Sequence, residues 1–89
     1  MLKIKDDIDL KDLEKYGFEY NERTKEYTKL LHYESDLDVD EIIIREDRII
    51  KNFTCLETYD DAYYGESELN DNLSFKIDDL IKDGLVEKV

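Results

Sequence analysis

Residues 41–55 read EIIIREDRIIKNFTC, two isoleucine-rich runs separated by a charged tetrapeptide. β-Branched runs around a short polar segment are typical of two strands joined by a tight turn, so we predict a hairpin. With Glu46 and Asp47 as a two-residue loop, the pairs are Arg45 with Arg48, Ile44 with Ile49, Ile43 with Ile50 and Ile42 with Lys51. Because paired residues share a face, the predicted core face carries Ile42, Ile44, Ile49, Phe53 and Cys55.

The register of this hairpin stays open. Its turn contains neither Asn-Gly nor Gly-Gly, so a four-residue loop is an alternative, and a slip of one residue would exchange the faces. The preceding residues 36–40, DLDVD, alternate strictly. One regular strand would place their aspartates on the face of Ile42 and Ile44, so we expect a bulge or loop near Asp40 and a regular strand from Glu41.

Two helices are predicted, one toward each end of the chain. The first is short, begins at Asp9 as a capping residue and ends at Gly17. The second is longer, can be capped by Ser67, Asn70 or Asn72, and ends at Gly84. Its apolar stripe consists of Leu69, Leu73, Ile77, Leu80 and Ile81.

Further strands are predicted on both sides of the central hairpin. Residues 18–20 and 27–33 form a second hairpin around a polar reversal, and residues 2–4 suit a short edge strand. The tail, residues 85–89, returns to the core or adds a strand. Residues 57–68 are polar and tyrosine-rich without a clean period, so we predict the longest loop there.

These elements predict a single α+β domain over residues 1–89, with an antiparallel sheet of three or four strands and both helices on one face. No apolar run is long enough to cross a bilayer, and the first residues are too acidic for a secretory signal. A lone cysteine forms no intrachain disulfide. We therefore expect a cytoplasmic protein that does not contact membranes.

The negative charge is concentrated in the middle of the chain. The net charge is −12, and residues 34–71 hold 13 acidic and 3 basic residues. Such a field repels phosphate and anionic lipid and accelerates encounter with basic surfaces. We expect a basic protein partner and no direct binding to nucleic acid. The alternative is an acidic surface that serves only solubility.

Few residues suggest catalysis or metal binding. Asp36, Asp38 and Asp40 match the opening of a calcium-binding loop, but Glu41 stands where that loop needs glycine and Asp47 where it needs glutamate. The only histidine, His32, alternates in a predicted strand, and Cys55 falls on the predicted core face. We therefore predict no enzyme activity, no metal and no cofactor.

The predicted contact surface lies on the long loop. Tyrosine buries a large area with few rotors to freeze, so rings beside charges favour a protein interface. Alternatively, one or two of the rings cap the core. With the aspartate ladder, whose spacing is of the order of that between backbone phosphates, the candidate binding residues are Tyr59, Asp60, Asp61, Tyr63, Tyr64, Asp36, Asp38 and Asp40.

Two resemblances follow from the ends of the chain. The opening KIKDDIDLKDLEKYGFEY and the ending IDDLIKDGLVEKV resemble small acidic phage and prophage proteins of unknown function from low-G+C Gram-positive bacteria. That resemblance implies an accessory role, often interference with a host protein, and carries over no active-site residues. Residues 13–18 and 80–88 also resemble the end of a winged-helix recognition helix, but neither segment is basic.

The functional expectation is a non-enzymatic acidic binding protein of the phage-accessory type. It would engage a basic host protein and inhibit it by nucleic-acid mimicry. The alternatives are a small-ligand binding or sequestering protein and a winged-helix-like regulator.

Overall fold

The computed structural model describes the backbone of residues 1–35, 38–57 and 62–89 and the side chains of residues 1–31, 40–54 and 65–89. Within these ranges the strands are β1 (Leu2–Ile4), β2 (Glu19–Asn21), β3 (Glu26–Ser35), β4 (Asp38–Ile44), β5 (Ile50–Glu57), β6 (Ala62–Glu68) and β7 (Val86–Lys88). An N-terminal 3₁₀ helix covers Leu10–Tyr16 and a C-terminal 3₁₀ helix covers Asp71–Ile77. The latter continues into the α-helix α1 (Asp78–Lys82).

Five of the strands form one antiparallel sheet in the order β2-β3-β4-β5-β6, and β1 pairs with β7 in a two-stranded sheet. The predicted α+β class is confirmed, as are the two predicted hairpins and the strands at both ends of the chain. The predicted strand count of three or four is wrong. The fifth strand of the main sheet is β6, whose seven residues lie within the loop predicted at 57–68.

The central hairpin adopts a register one residue away from the predicted one. Ile44 pairs with Ile50 rather than Ile49, which leaves a five-residue loop at 45–49. The side chain of Asp47 accepts a hydrogen bond from the Ile49 amide at 3.0 Å, and Arg48 adopts a left-handed conformation with φ 69. These two features make a compact turn without glycine or asparagine.

The register change exchanges the faces of β5. Ile42, Ile44 and Ile50 are fully buried in the core, whereas Ile49 is half-buried. Phe53 pairs with Glu41 on the opposite face of the sheet. The predicted core positions of Ile49 and Phe53 are therefore wrong, and the side chain of Cys55 lies outside the described residues.

The predicted bulge near Asp40 lies beside this residue in the neighbouring strand, whereas the predicted start of the regular strand at Glu41 is wrong because Asp40 lies inside β4. β4 begins at Asp38, and the irregularities lie in the neighbouring strand β3, where the pairing shifts between Leu30 and His32 and between Tyr33 and Ser35. Asp40 shares the core face with the isoleucines because its carboxylate is ion-paired there. It accepts hydrogen bonds from Lys76 Nζ at 2.9 Å and from Asn52 Nδ2 at 2.6 Å.

Both helical segments pack on the same face of the main sheet, as predicted. Asp9 caps the N-terminal 3₁₀ helix by accepting a hydrogen bond from the Lys11 amide, and Gly17 ends it with φ 90. Asn70 caps the C-terminal 3₁₀ helix. Leu13, Ile77 and Leu80 join the core cluster of the sheet, but Ile81 is 40% exposed, so its assignment to the buried stripe was wrong.

Arg48 links the hairpin turn to the N-terminal segment by hydrogen bonds. Its Nη1 donates hydrogen bonds to the carbonyl oxygens of Lys5 at 2.8 Å and Ile8 at 2.6 Å, while its own carbonyl accepts from the Ile4 amide at 2.9 Å. One guanidinium nitrogen thus satisfies two carbonyls that precede the first helical segment. This contact joins β1 to the main sheet.

We expect Arg48→Lys to lower the free energy of unfolding by about 1 kcal/mol, because an ammonium group cannot reproduce the planar geometry of these hydrogen bonds. Urea denaturation measures the change. Arg23→Lys, at an exposed position in the turn between β2 and β3, is the control and should change stability by less than about 0.5 kcal/mol. Equal effects of the two substitutions would show that the contacts of Arg48 contribute nothing.

Candidate functional site

The face of the five-stranded sheet opposite the helices is the candidate site. Glu41 pairs with both Leu30 and Phe53, and paired residues share a face of the sheet. Because side chains alternate between the two faces along each strand, the pairings assign residues of all five strands to this face. Within the described ranges, the helical segments bury their apolar residues on the other side. We call this surface the open face; it comprises Glu19, Glu26, Thr28, Leu30, Glu41, Ile43, Lys51, Phe53, Glu66 and Glu68, together with the side chain of Arg45.

The open face is acidic. It carries five glutamates against the two cations Arg45 and Lys51. These glutamates come from β2, β3, β4 and β6, so the charge extends across the sheet rather than along one strand. The open face therefore shares the acidic surplus of the whole chain, in which 25 acidic residues stand against 13 basic ones.

Arg45 shows how this face holds a guanidinium group. Its Nε donates to Glu26 at 2.8 Å and its Nη2 donates to Glu66 at 3.1 Å, so the side chain bridges β3 and β6. The hydrogen bonds from Arg45, reinforced by Lys51, hold the pKa of Glu66 below its ordinary value. The open face therefore already contains an arginine bound between two carboxylates, the geometry favoured for such pairs.

Glu41 stands near the centre of the open face, between Leu30 and Phe53. Its side chain is half-buried. Burial raises the pKa of the Glu41 carboxyl above its ordinary value, and the neighbouring charge of Glu26 adds to this effect. A cation brought against Glu41 would offset both contributions.

We expect Glu41→Gln to raise the stability of the protein at pH 7. A carboxyl whose folded-state pKa is raised destabilises the fold when ionised, and this penalty disappears as the pH falls through its folded-state pKa, above 4.5. The gain of the variant should therefore be present at pH 7 and absent at pH 4. Thermal unfolding at the two pH values measures it, and a variant less stable than the wild type at pH 7 would contradict the expectation.

The open face also has an apolar component. Leu30 is 53% exposed, and Phe53 is half-buried. Leu30 and Glu41 line a shallow hollow of about 370 Å³, with Gly17, Glu19 and Thr28 on its other side. Apolar side chains within a charged surround are the arrangement that supplies both buried area and orientation at protein interfaces.

The structure places the sequence-predicted binding residues unevenly. Tyr59, Asp60, Asp61 and Asp36 lie outside the described residues. The backbone of Tyr63 and Tyr64 belongs to β6, and that of Asp38 begins β4, but their side chains lie outside the described residues. The carboxylate of Asp40 faces the helices and is held by Lys76 and Asn52, so it is not part of the open face.

The sequence prediction missed the glutamates of the open face. Nothing in the local sequence around Glu19, Glu41 and Glu68 separates them from ordinary solvent-facing residues. The available signal was the alternation of the strand, because Glu41 lies one position before the buried Ile42 and three before the buried Ile44, and an odd separation places it on the opposite face. The clustering becomes visible only once the strand order is known.

Two further findings concern the described part of the chain. Among its residues no group of three or more histidine, cysteine, aspartate or glutamate side chains is arranged to hold a metal ion. Its helices all lack the length and apolarity that a bilayer crossing requires.

Comparison with known proteins gave no relative from which a function could be transferred. No protein-family model, no curated protein and no solved structure matches the chain.

Proposed function

We propose that the protein is a non-enzymatic acidic binding protein that holds a basic protein partner on its open face. One observation carries the proposal: five glutamates and two partly exposed apolar residues share a sheet face on which no described helix packs. The glutamates select a basic surface, and Leu30 and Phe53 provide the apolar contact area.

The net charge of the chain also supports a basic protein as the partner. A net charge of −12 on 89 residues accelerates association with a positively charged protein and repels nucleic acid. A basic surface that accepts this face is also one that binds phosphates. In this proposal the protein inhibits its partner by occupying a nucleic-acid site, which fits the host-interference role implied by the resemblance to phage proteins.

The test is capture of a partner from a lysate of a low-G+C Gram-positive bacterium. Glu19→Gln/Glu41→Gln removes two charges from the open face, and Glu14→Gln/Asp78→Asn removes two exposed charges from the helical segments. We expect the wild type and the helical variant to capture the same basic protein at low salt, with loss at high salt. The open-face variant should associate with the purified partner more slowly.

Competition then tests the inhibitory part of the proposal. Duplex DNA or structured RNA should displace the captured protein from the wild type. Simultaneous binding of nucleic acid and the acidic protein would exclude mimicry. Unchanged association of the open-face variant would exclude the open face as the binding surface.

A second candidate function is binding of a small apolar ligand. A cleft of about 300 Å³ lies between β7 and the C-terminal helical segment, lined mainly by Leu2, Ser74, Ile81 and Val86. That volume is at the lower end of the range for ligand sites. Saturable binding of an apolar fluorescent probe, abolished by Ser74→Phe, would support this function. The winged-helix alternative gains no support, since α1 has five residues and two aspartates in its first turn.

A further inference from the structure

β6 ends the main sheet, and its outer edge pairs with no strand of the described chain. The strand runs for seven residues, Ala62–Glu68, and its register with β5 is continuous over its whole length. The other outer strands, β2 and β7, have three residues each. β3 also extends beyond β2 over residues 29–35, but its pairing with β4 shifts twice there. β6 is therefore the longest free strand edge with a continuous register within the described residues, and a free edge is a template for pairing with another chain.

One hydrogen bond determines which backbone groups point outward. The Leu69 amide donates to the Ile50 carbonyl at 2.9 Å. In an antiparallel pair the hydrogen-bonded positions alternate, so Ser67 and Gly65 exchange bonds with β5. The backbone N–H and C=O groups of Glu66 and Glu68 consequently point away from the sheet.

The side chains of Glu66 and Glu68 project from the open face at this same edge. Glu66 and Glu68 pair with Phe53 and Lys51, which lie on that face. Both glutamates are exposed, and Glu66 also accepts hydrogen bonds from Arg45. A strand added beside β6 would place its own alternate residues directly opposite these glutamates, where opposite charges stabilise the pair.

We propose that the outer edge of β6 binds an extended segment of the basic partner by strand addition, with lysine or arginine at alternate positions facing Glu66 and Glu68. This inference rests on the proposed function and specifies how the partner is held. Backbone hydrogen bonds supply affinity, and the two glutamates select the basic residues.

A second copy of the chain is the wrong occupant. Two β6 strands that pair antiparallel through their outward-pointing groups bring Glu66 and Glu68 of one copy opposite those of the other when the pairing is centred on these residues. When it is centred on Gly65, the same glutamates lie opposite Tyr64 and Ala62, and in neither register does a cation face them. Like charges directly opposite one another are destabilising. The edge therefore disfavours self-association and selects a basic strand.

The test uses defined peptides instead of an unidentified protein. A seven-residue peptide in which arginine and threonine alternate is the ligand, and its dissociation constant is measured by calorimetry at low salt. The first control is the same peptide with N-methyl groups on the backbone nitrogens that face β6, which keeps the charge and removes the hydrogen bonds. We expect it to bind at least about fivefold more weakly.

Two variants of the protein test the same backbone hydrogen bonds from the side of β6. Glu68→Gln removes one charge and keeps the outward N–H, whereas Glu68→Pro removes both. Proline is tolerated on an edge strand where its nitrogen faces solvent, so circular dichroism should show a folded protein. Glu68→Pro should bind the peptide about fivefold more weakly than Glu68→Gln.

The outcomes separate this inference from the proposed function. Strand addition would be overturned if the two Glu68 variants bound the peptide equally, or if the methylated and unmethylated peptides bound equally. The proposed function, a basic partner on the open face, would not be affected by that result. The peptide comparison still decides the matter if Glu68→Pro fails to fold. Failure of the proposed function itself would appear separately, as unchanged association of Glu19→Gln/Glu41→Gln with the captured partner.

Discussion

Replacing Ile50 with alanine should lower the free energy of unfolding by about 2–5 kcal/mol, whereas the same change at Ile49 should cost less than about 1 kcal/mol. Ile50 is fully buried beside Ile44, and the cavity left by its side chain cannot collapse between two paired strands and the helices. Ile49 lies in the turn and is half-buried. Urea denaturation of both variants measures the difference.

The comparison is sharp because the two isoleucines are adjacent and chemically identical. Ile44→Ala should cost about as much as Ile50→Ala, since the two residues form one cross-strand pair. A larger loss at Ile49 than at Ile50 would mean that the strands pair in the register with a two-residue loop. Similar losses at both positions would show that Ile50 contributes no more to stability than Ile49, against the greater burial of Ile50.

Replacing Lys76 with methionine should lower the free energy of unfolding by about 2 kcal/mol. Methionine retains most of the aliphatic volume but removes the ammonium group that donates to Asp40 and to the side chain of Asn52, both at 2.9 Å. Asp40 then remains a carboxylate on the core face without its cation. The exposed Lys82 provides the control, and Lys82→Met should cost less than about 0.5 kcal/mol.

A double-mutant cycle identifies the source of this loss. Asp40→Asn/Lys76→Met removes both charges, so it should be more stable than Lys76→Met alone. Strict additivity of the two single substitutions would show that the pair does not interact. Because both side chains are largely shielded, with 14% and 24% of their surfaces exposed, the coupling should also persist at high salt.

The sequence was sufficient to predict most of the helices and strands but not the register in which the strands pair. Alternation and β-branching locate the hairpin, yet Ile49 and Ile50 are both apolar and either can face the core. Register is fixed when one face of a strand is apolar and the other polar. Ile43 is buried on the opposite face from Ile42 and Ile44, so β4 lacks this difference between its faces. The turn conformation at Asp47 and Arg48 then selects one register: Asp47 is a common turn residue, but the left-handed conformation of Arg48 has no signal in the sequence.

Contacts between distant residues explain the other errors. Asp40 can lie on the core face only because Lys76 reaches it from the C-terminal 3₁₀ helix, and no local pattern predicts that partner. β6 was missed because an edge strand with Gly65 and two glutamates resembles a polar loop. The acidic character of the chain was evident from composition, whereas the assembly of glutamates from four strands into one face depends on the strand order.

The pairing of β1 with β7 has a kinetic consequence. Leu2 lies opposite Lys88, and the Val89 amide donates to the Met1 carbonyl at 3.0 Å, so the two ends of the chain hold each other. Among the described contacts, the pairing of β1 with β7 closes the longest loop and so carries the largest entropic penalty. This small sheet should therefore form last during folding. β1 is also bonded to the Arg48 carbonyl of the hairpin turn, whereas β7 pairs only with β1 among the described strands. β7 should therefore open before β1 does.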